Sequence, residues 1–446
     1  VSWTRKDQAF GAIGDTNTMD LLALTRAALD TGPLCDPCLG RLVADRGFGL
    51  TNTQRGRSLR ITVALADDHP YEPHADEESC WVCEGESARV DSFAERAIRM
   101  LEGWEIDTYQ VGTRVPPLLE ENDRLLREDV GLEAAAGEPL KRELNREVGK
   151  RIGAAIDGEV DLERPDALVL IDLATDEIEL QVNSAFVYGR YRKLKRDVPQ
   201  TKWPCSDCGQ TGMRRGKRCA ACEGTGYRYG TSVEQQTAPL LQEAMDGSDA
   251  VFHGAGREDV DARMLGDGRP FVIEIDEPRK RSVDLDRLET EINEQADAVE
   301  VSGLRAATHE MVERVKQLDA SKTYRMEVEF DAPIDTAAFQ DALGALEGAT
   351  VEQRTPNRVD HRRADIDRTR TVYDIEGEVT DEYHGTVELH GEGGLYVKEL
   401  ISGDEGRTEP SLAGLLSVDA VVTVLDVTGV EGETEPFEQS DYFVGS

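Results

Sequence analysis

Residues 256–275 read GREDVDARMLGDGRPFVIEI. A glycine-rich turn presents Arg257, Glu258 and Asp259 and then runs into an apolar stretch, 271–275, that reads as a strand. An Asp on such a turn beside an Arg is kept ionised by its neighbour. It could serve as a nucleophile or a base. A salt-bridged turn with no chemistry would leave the same pattern, so the segment needs its surroundings to be interpreted.

Around it the C-terminal half alternates strand and helix. Strands are expected at 271–275, 324–330 and 421–427, and helices at 232–246, 283–297, 305–318 and 336–346. The N-terminal half has a different texture. Helical spacing appears at 18–31, 52–66, 89–103 and 138–157, an extended segment at 104–115, and two buried strands at 167–171 and 178–182. The main boundary is expected near residue 229, and the fold class is α+β.

The chain of 446 residues has room for two to four domains, and 39% hydrophobic residues suffice for real cores. No apolar run reaches the length of a transmembrane helix. No basic-then-apolar leader is evident, so a soluble cytoplasmic protein without membrane attachment is expected. Acids number 89 against 51 cations, a net charge of −38. The acids are spread throughout and only eleven cations are Lys, which fits a solvated surface suited to high salt.

Two islands oppose that excess. Residues 190–228 hold eleven cations and three acids, and residues 354–370 hold six Arg and three Asp. Each is a place where an anion could be met. In the first, Arg190, Arg192, Lys193, Lys195, Arg196 and Lys202 interleave with Tyr188, Tyr191 and Trp203, a mixture that suits single-stranded RNA. A basic hairpin with a packed Trp is the alternative. In the second, Arg354, Arg358, Arg362, Arg363 and Arg368 suit phosphate or backbone contacts.

All eight cysteines fall into CxxC pairs: Cys35/Cys38, Cys80/Cys83, Cys205/Cys208 and Cys219/Cys222. Disulfides are not expected in a cytoplasmic chain. Four pairs favour two tetrahedral structural zinc sites, each built from two knuckles, with no open position for catalysis. The set from Cys205 to Cys222 is compact, with ten residues between the pairs and glycines after each knuckle. The set from Cys35 to Cys83 is bridged by 41 residues, and its spacing is less telling. A Walker A loop, a GxGxxG opening a βαβ unit, HExxH and GxSxG are all missing.

The string GRED resembles the GRxD-type catalytic loop of pseudouridine synthases, and the full stretch 256–275 resembles the Pus10 branch of those tRNA-modifying enzymes. Three further segments are similar to that branch. Arg354 to Asp365 (RTPNRVDHRRAD) looks like its RTPxRVxHRRAD segment. Gly394 to Leu400 (GLYVKEL), followed by Gly403 to Thr408, looks like its third motif. Leu34 to Arg41 (LCDPCLGR) looks like its first zinc knuckle. The resemblance spans roughly residues 30–430, and its motifs fall in the expected order.

The resemblance implies a uridine-to-pseudouridine isomerase acting at position 55, and also 54, of the tRNA T arm. It implies Asp259 as the catalytic carboxylate, on a target base that must be flipped out of its stack. By family position Tyr324 would stack on that base and Lys398 would pair with Asp259. Val397 and Leu425 would form an apolar wall, and Arg257 would contact the substrate. No organic cofactor is implied. The expected order of domains is a helical zinc-binding region at 1–89, then a THUMP-like RNA-binding region at 90–229 carrying the second knuckle at 203–228. A catalytic domain with a mixed or antiparallel sheet would follow at 230–446. The partner would be tRNA, through its T arm and 3′ end, and the protein a monomer. A THUMP-bearing tRNA methyltransferase or thiolase would need a donor-binding loop that is not visible. A non-catalytic zinc-containing RNA adaptor would leave the GRED turn without a role.

Overall fold

Asp20 opens the first helix, α1 (Leu21–Asp30), by accepting the amides of Leu22 and Ala23. The computed structural model describes residues 20–73, 79–133, 135–318, 320–358, 364–431 and 437–444. The chain divides into two compact units, 1–183 and 184–446.

In the first unit α2 (Asp36–Arg41) packs against α3 (Asn52–Asp67), which starts in a Thr51/Gln54 capping box. The two helices touch backbone to backbone. A Cβ on Gly40 would lie 1.8 Å from the carbonyl oxygen of Asn52, and one on Gly56 would lie 1.9 Å from that of Asp36. Next come α4 (Val90–Leu101), β1 (Thr108–Arg114), α5 (Pro117–Asp129) and α6 (Leu140–Ile156). Three strands complete the unit: β2 (Glu159–Val160), β3 (Ala167–Asp172) and β4 (Glu177–Val182). The sheet order is β2-β1-β3-β4, parallel except for the β3–β4 hairpin. Alternation in β1 and β3 turns Tyr109, Val111, Val169 and Ile171 to one buried face. Phe93 and Ala97 of α4 and Leu144, Val148 and Ile152 of α6 belong to the same core.

The second unit is built on one long mixed sheet. Its strands are β5 (Ala185–Lys193), the two-residue β6 and β7 (Met213–Arg214 and Lys217–Arg218, a separate ribbon), β8 (Asp249–Gly254), β9 (Arg263–Asp276), β10 (Val299–Ala307) and β11 (Ser321–Phe330). Then come β12 (Thr350–Arg354), β13 (Asp367–Asp381), β14 (His384–Gly391), β15 (Thr408–Glu409) and β16 (Ala420–Glu431). Among the described residues the accompanying helices are α7 (Val233–Met245), α8 (Leu285–Gln295), α9 (His309–Gln317), α10 (Thr336–Leu346), α11 (Val397–Ser402) and α12 (Leu412–Leu416). The sheet order is β10-β5-β9-β16-β11-β14-β13-β12-β15, with β8 paired to β9. Among the described residues of this sheet only the β9–β16 pairing is parallel, with Asp426 opposite Arg263 and Val427 opposite Met264.

The boundary expected near 229 falls inside this second unit. Residues 185–193 form β5, hydrogen-bonded between β9 and β10, so the basic island at 190–228 belongs with the sheet that follows it. The mixture of cations and aromatics there is strand alternation. Tyr191 and Lys193 point into the core while Arg190 and Arg192 lie on the other face. The helix expected at 305–318 is a strand as far as Ala307 and a helix only from His309. No helix among the described residues is long and apolar enough to cross a membrane.

Candidate active site

Asp259 sits on the turn 255–262 that joins β8 to β9. Because β9 begins alongside residues 426–427 of β16, this turn is delivered to the middle of the sheet. There β16 and β11 present neighbouring side chains, with Tyr324 opposite Val427 and Met326 opposite Leu425. A cavity of about 700 Å³ opens at this point. Its lining includes Arg257, Asp259, Tyr324, Arg358, Val397 and Leu425, together with Trp203 and Arg269.

The Asp259 carboxylate, one-third exposed, is held by two cations from different elements. Arg358, just after β12, places Nη1 3.1 Å from Oδ1. Lys398, in the first turn of α11, places Nζ 3.4 Å from Oδ2 and also reaches Asp261 at 2.8 Å. Burial would raise the Asp259 pKa, but the charges of Arg358 and Lys398 and their hydrogen bonds outweigh it and hold the carboxyl below its ordinary value. Arg358 is itself fixed by the buried carboxylate of Glu399, at 2.6 Å from Nε. Tyr324 is almost fully buried. Burial pushes its phenol up to about 12, so the ring stays neutral and its face remains an apolar surface. Val397 and Leu425 are both buried and supply aliphatic wall. The guanidinium of Arg257 lies 5.1 Å from the Trp203 ring centre, within cation–π range.

Of the residues expected at the site, Asp259, Tyr324, Val397, Leu425 and Arg257 line this one cavity, and Lys398 lies beside Asp259. The sequence reading did not foresee every contact. It placed Arg358 among RNA-backbone contacts, whereas this guanidinium bridges Asp259 and Glu399. The arrangement at Lys193 corrects the expected RNA contact outright. Its side chain is buried, and its ammonium donates to the carbonyls of Val198, Asp259 and Val260. Tyr188 and Tyr191 are also fully buried and offer no face to a base. Arg190 donates to the carbonyls of Asp267 and Gly268, Arg192 pairs with Glu300, and Lys195 pairs with Asp297. Arg354 pairs with Asp365, while Arg368 donates to Thr355 and lies over the Tyr396 ring. Arg362 and Arg363 lie outside the described residues. Arg269 and Gln200, which hold the turn from within, were not singled out by sequence, and Glu258 was named on the turn without a role. A buried charge carries no signal in a chain so rich in charge.

The eight cysteines form two sets of four. Within Cys35, Cys38, Cys80 and Cys83, and within Cys205, Cys208, Cys219 and Cys222, the sulfurs all lie within 4.8 Å of one another. Sulfur pairs at 3.7 Å (Cys35 and Cys83; Cys208 and Cys222) and 4.0 Å (Cys205 and Cys219) are too far apart for disulfides. They match the edge, about 3.8 Å, of a tetrahedron with 2.3 Å metal–sulfur bonds. In the second set Gly226 donates its amide to the Cys222 sulfur, and a Cβ there would meet the Gln210 carbonyl oxygen at 2.3 Å. Both sets fit a metal that prefers four thiolates. The second hangs from the cavity rim, since Pro204 lines the cavity and bridges to Tyr227 across the base of the knuckle.

Comparison with known proteins gives the family. Residues 186–431 match the family model described as Pus10, C-terminal, and residues 93–172 match the archaeal Pus10 THUMP domain. The chain is 61% identical over 426 residues to the tRNA pseudouridine synthase Pus10 of Halorubrum lacusprofundi, covering 95% of this chain and all of that one. It is 43% identical over 438 residues to the Pus10 of Methanothrix thermoacetophila, covering 93% and 95% of the two chains. Family models and relatives together define a pseudouridine synthase, an isomerase with a THUMP domain ahead of its catalytic unit. More narrowly, the chain belongs to the Pus10 family of tRNA pseudouridine synthases, in its archaeal form.

Proposed function

We propose that the enzyme isomerises uridine 55, and also uridine 54, in the T arm of tRNA, with Asp259 as the catalytic carboxylate. The observation that carries this reading is the anionic Asp259 held between Arg358 and Lys398 at the wall of a cavity that also contains Tyr324. The flipped uracil stacks on the Tyr324 ring, with Val397 and Leu425 closing the apolar side. The C1′–N1 bond breaks, the base turns, and a C1′–C5 bond forms. The hydrogen at C5 is lost and N1 gains a proton, so atoms and charge balance without oxidant, reductant or organic cofactor. The negative charge of Asp259 serves C1′ either as a covalent partner or as an electrostatic one.

The remaining roles follow from placement. Arg257 meets the RNA at the cavity mouth. The THUMP domain at 93–172 and the exposed cations Arg214, Arg215, Lys217 and Arg218 on the knuckle tip take the tRNA backbone, including the 3′ end. The three regions of the chain are a zinc-binding N-terminal segment, a THUMP region and a catalytic unit beginning near residue 184. Both cysteine sets hold zinc in a structural role, since four thiolates leave no position for substrate. The enzyme works as a cytoplasmic monomer. The test is incubation of an unmodified tRNA transcript with purified protein and no added cofactor, followed by mapping of pseudouridine. Product at nucleotides 54 and 55 is expected. Product elsewhere would overturn the site assignment, and none at all would overturn the cofactor-free reaction.

A further inference from the structure

The turn that carries Asp259 is gripped from beneath by charged and polar side chains that water does not reach. Lys193, the last residue of β5, donates to the carbonyls of Asp259 and Val260, both at 3.1 Å, and to that of Val198 at 2.9 Å. Arg269 donates through Nη1 to the carbonyl of Ala255 at 2.7 Å. Gln200 donates to the carbonyl of Gly256 at 3.0 Å and to the Tyr191 hydroxyl at 2.9 Å. Four backbone carbonyls of one short turn are therefore fixed by three buried side chains. The buried carboxylate of Glu258 faces both cations. It lies 3.6 Å from the Lys193 ammonium and 2.9 Å from Arg269 Nε, and it accepts the Tyr191 hydroxyl at 2.8 Å.

Such a cluster is an expensive way to pack a core. Taking an ammonium, a guanidinium and a carboxylate out of water costs several kcal/mol per ion, and apolar residues of the same volume often do as well for stability. Burial lowers the Lys193 pKa, and the Glu258 charge offsets only part of that penalty. What apolar residues cannot do is bind carbonyl oxygens. The carbonyls of Asp259 and Val260 each accept one backbone amide, from Ala262 and Asp197, and Lys193 adds a second, charged donor to both, tying the two oxygens to one point. Lys193, Tyr191 and Gln200 are absent from the cavity lining, so they act on the turn and not on the substrate.

We propose that Lys193, with Glu258 as its counter-charge, is a positioning residue for Asp259, fixing the backbone from which the carboxylate meets the substrate. The proposal rests on Asp259 being the catalytic carboxylate. Misplacing a reacting group by about 1 Å can cost about a hundredfold in rate. Because Lys193 is absent from the cavity lining, its loss should leave tRNA affinity intact.

The experiment uses the full chain, an unmodified tRNA transcript, and single-turnover rates at saturating enzyme alongside tRNA binding and melting curves. Lys193→Met keeps the stem and removes the ammonium. Its folded fraction should turn over about a hundredfold more slowly, with a Kd within about threefold of wild type. A rate within about threefold of wild type would overturn the proposal, even if the melting temperature fell, because the residue would then be a packing element only. A weakened Kd with an intact rate would overturn it too and return Lys193 to RNA contact. If Lys193→Met does not fold, Tyr191→Phe decides. It deletes only the hydroxyl that links Gln200 to Glu258, and about a tenfold slower rate at unchanged Kd is expected. A wild-type rate in that variant would overturn the proposal. Asp259→Asn, measured in parallel, separates the two claims. If it abolishes turnover while the clamp variants keep theirs, only the clamp fails. If it retains turnover, the underlying reading of Asp259 fails first.

Discussion

Arg358 Nη1 lies 3.1 Å from Oδ1 of Asp259, and the same guanidinium grips the buried Glu399 carboxylate with Nε. The contact joins two segments that sequence similarity had placed in separate roles, the RTPNR stretch and the GRED turn. Burial would raise the Asp259 pKa, and this contact together with Lys398 outweighs it and holds the carboxyl below its ordinary value.

The acid limb of the rate follows from that balance. The Asp259 carboxyl lies below its ordinary value, so the anion persists as pH falls through the ordinary carboxylate range, and activity is lost only below it. In Lys398→Met one of the two opposing charges is gone, and burial is less well offset. The acid limb of the single-turnover rate should move to higher pH. The contribution of Asp259 to stability has the same sign, present above the unfolded-state pKa and lost as pH falls through the folded one. An acid limb that stays in place in Lys398→Met would show that the ammonium does not set the charge of Asp259.

The aromatic ring at 324 should matter more than its hydroxyl. Tyr324→Phe keeps the stacking face, and Tyr324→Leu removes it. Stacking on a base is worth about 1–3 kcal/mol, so the Leu variant should be slower by roughly ten- to a hundredfold and the Phe variant only mildly affected. Equal losses in single-turnover assays would argue against stacking.

Much of this site was legible in the sequence because the residues concerned carry unusual chemistry in short motifs. Asp259 and Lys398 sit in strings that resemble family motifs, Tyr324 was placed by family position alone, and the CxxC pairs announce their own geometry. Elements with clean periodicity, such as α6 and α10, also emerged close to their observed bounds. The strand β5 was not legible as part of the catalytic sheet. Its Tyr-x-Arg-Tyr-x-Lys pattern is rich in polar groups on both faces, and only the buried partners of Lys193 explain why one of those cations points inward. Strands β13 and β14 were missed for a related reason, since acids and glycines interrupt their apolar alternation.

Metal analysis of protein purified without chelator should give about two zinc ions per chain, one for each set of four thiolates. Cys35→Ser and Cys205→Ser should each lose one. Chelation should lower the melting temperature, because metal binding to such a set contributes folding free energy. A single zinc would leave one of the two sets without its metal. Activity lost on chelation at unchanged stability would place zinc in the chemistry.

The knuckle tip should act on binding and not on turnover. Replacing Arg214, Arg215, Lys217 and Arg218 with Ala removes four exposed cations that lie apart from the Asp259 cavity lining. Each lost phosphate contact should flatten the slope of log affinity against log salt by about 0.7–0.9. KM should rise while the single-turnover rate at saturating enzyme stays near wild type. An unchanged salt slope would mean that the tip does not meet phosphate.

The most direct test of the account is the single-turnover conversion of unmodified tRNA transcript by Asp259→Asn. The substitution removes the negative charge and nearly preserves the shape. Binding of tRNA within about threefold of wild type is expected, with no measurable pseudouridine at nucleotides 54 and 55. Pseudouridine formed at near wild-type rate by that variant would contradict the account.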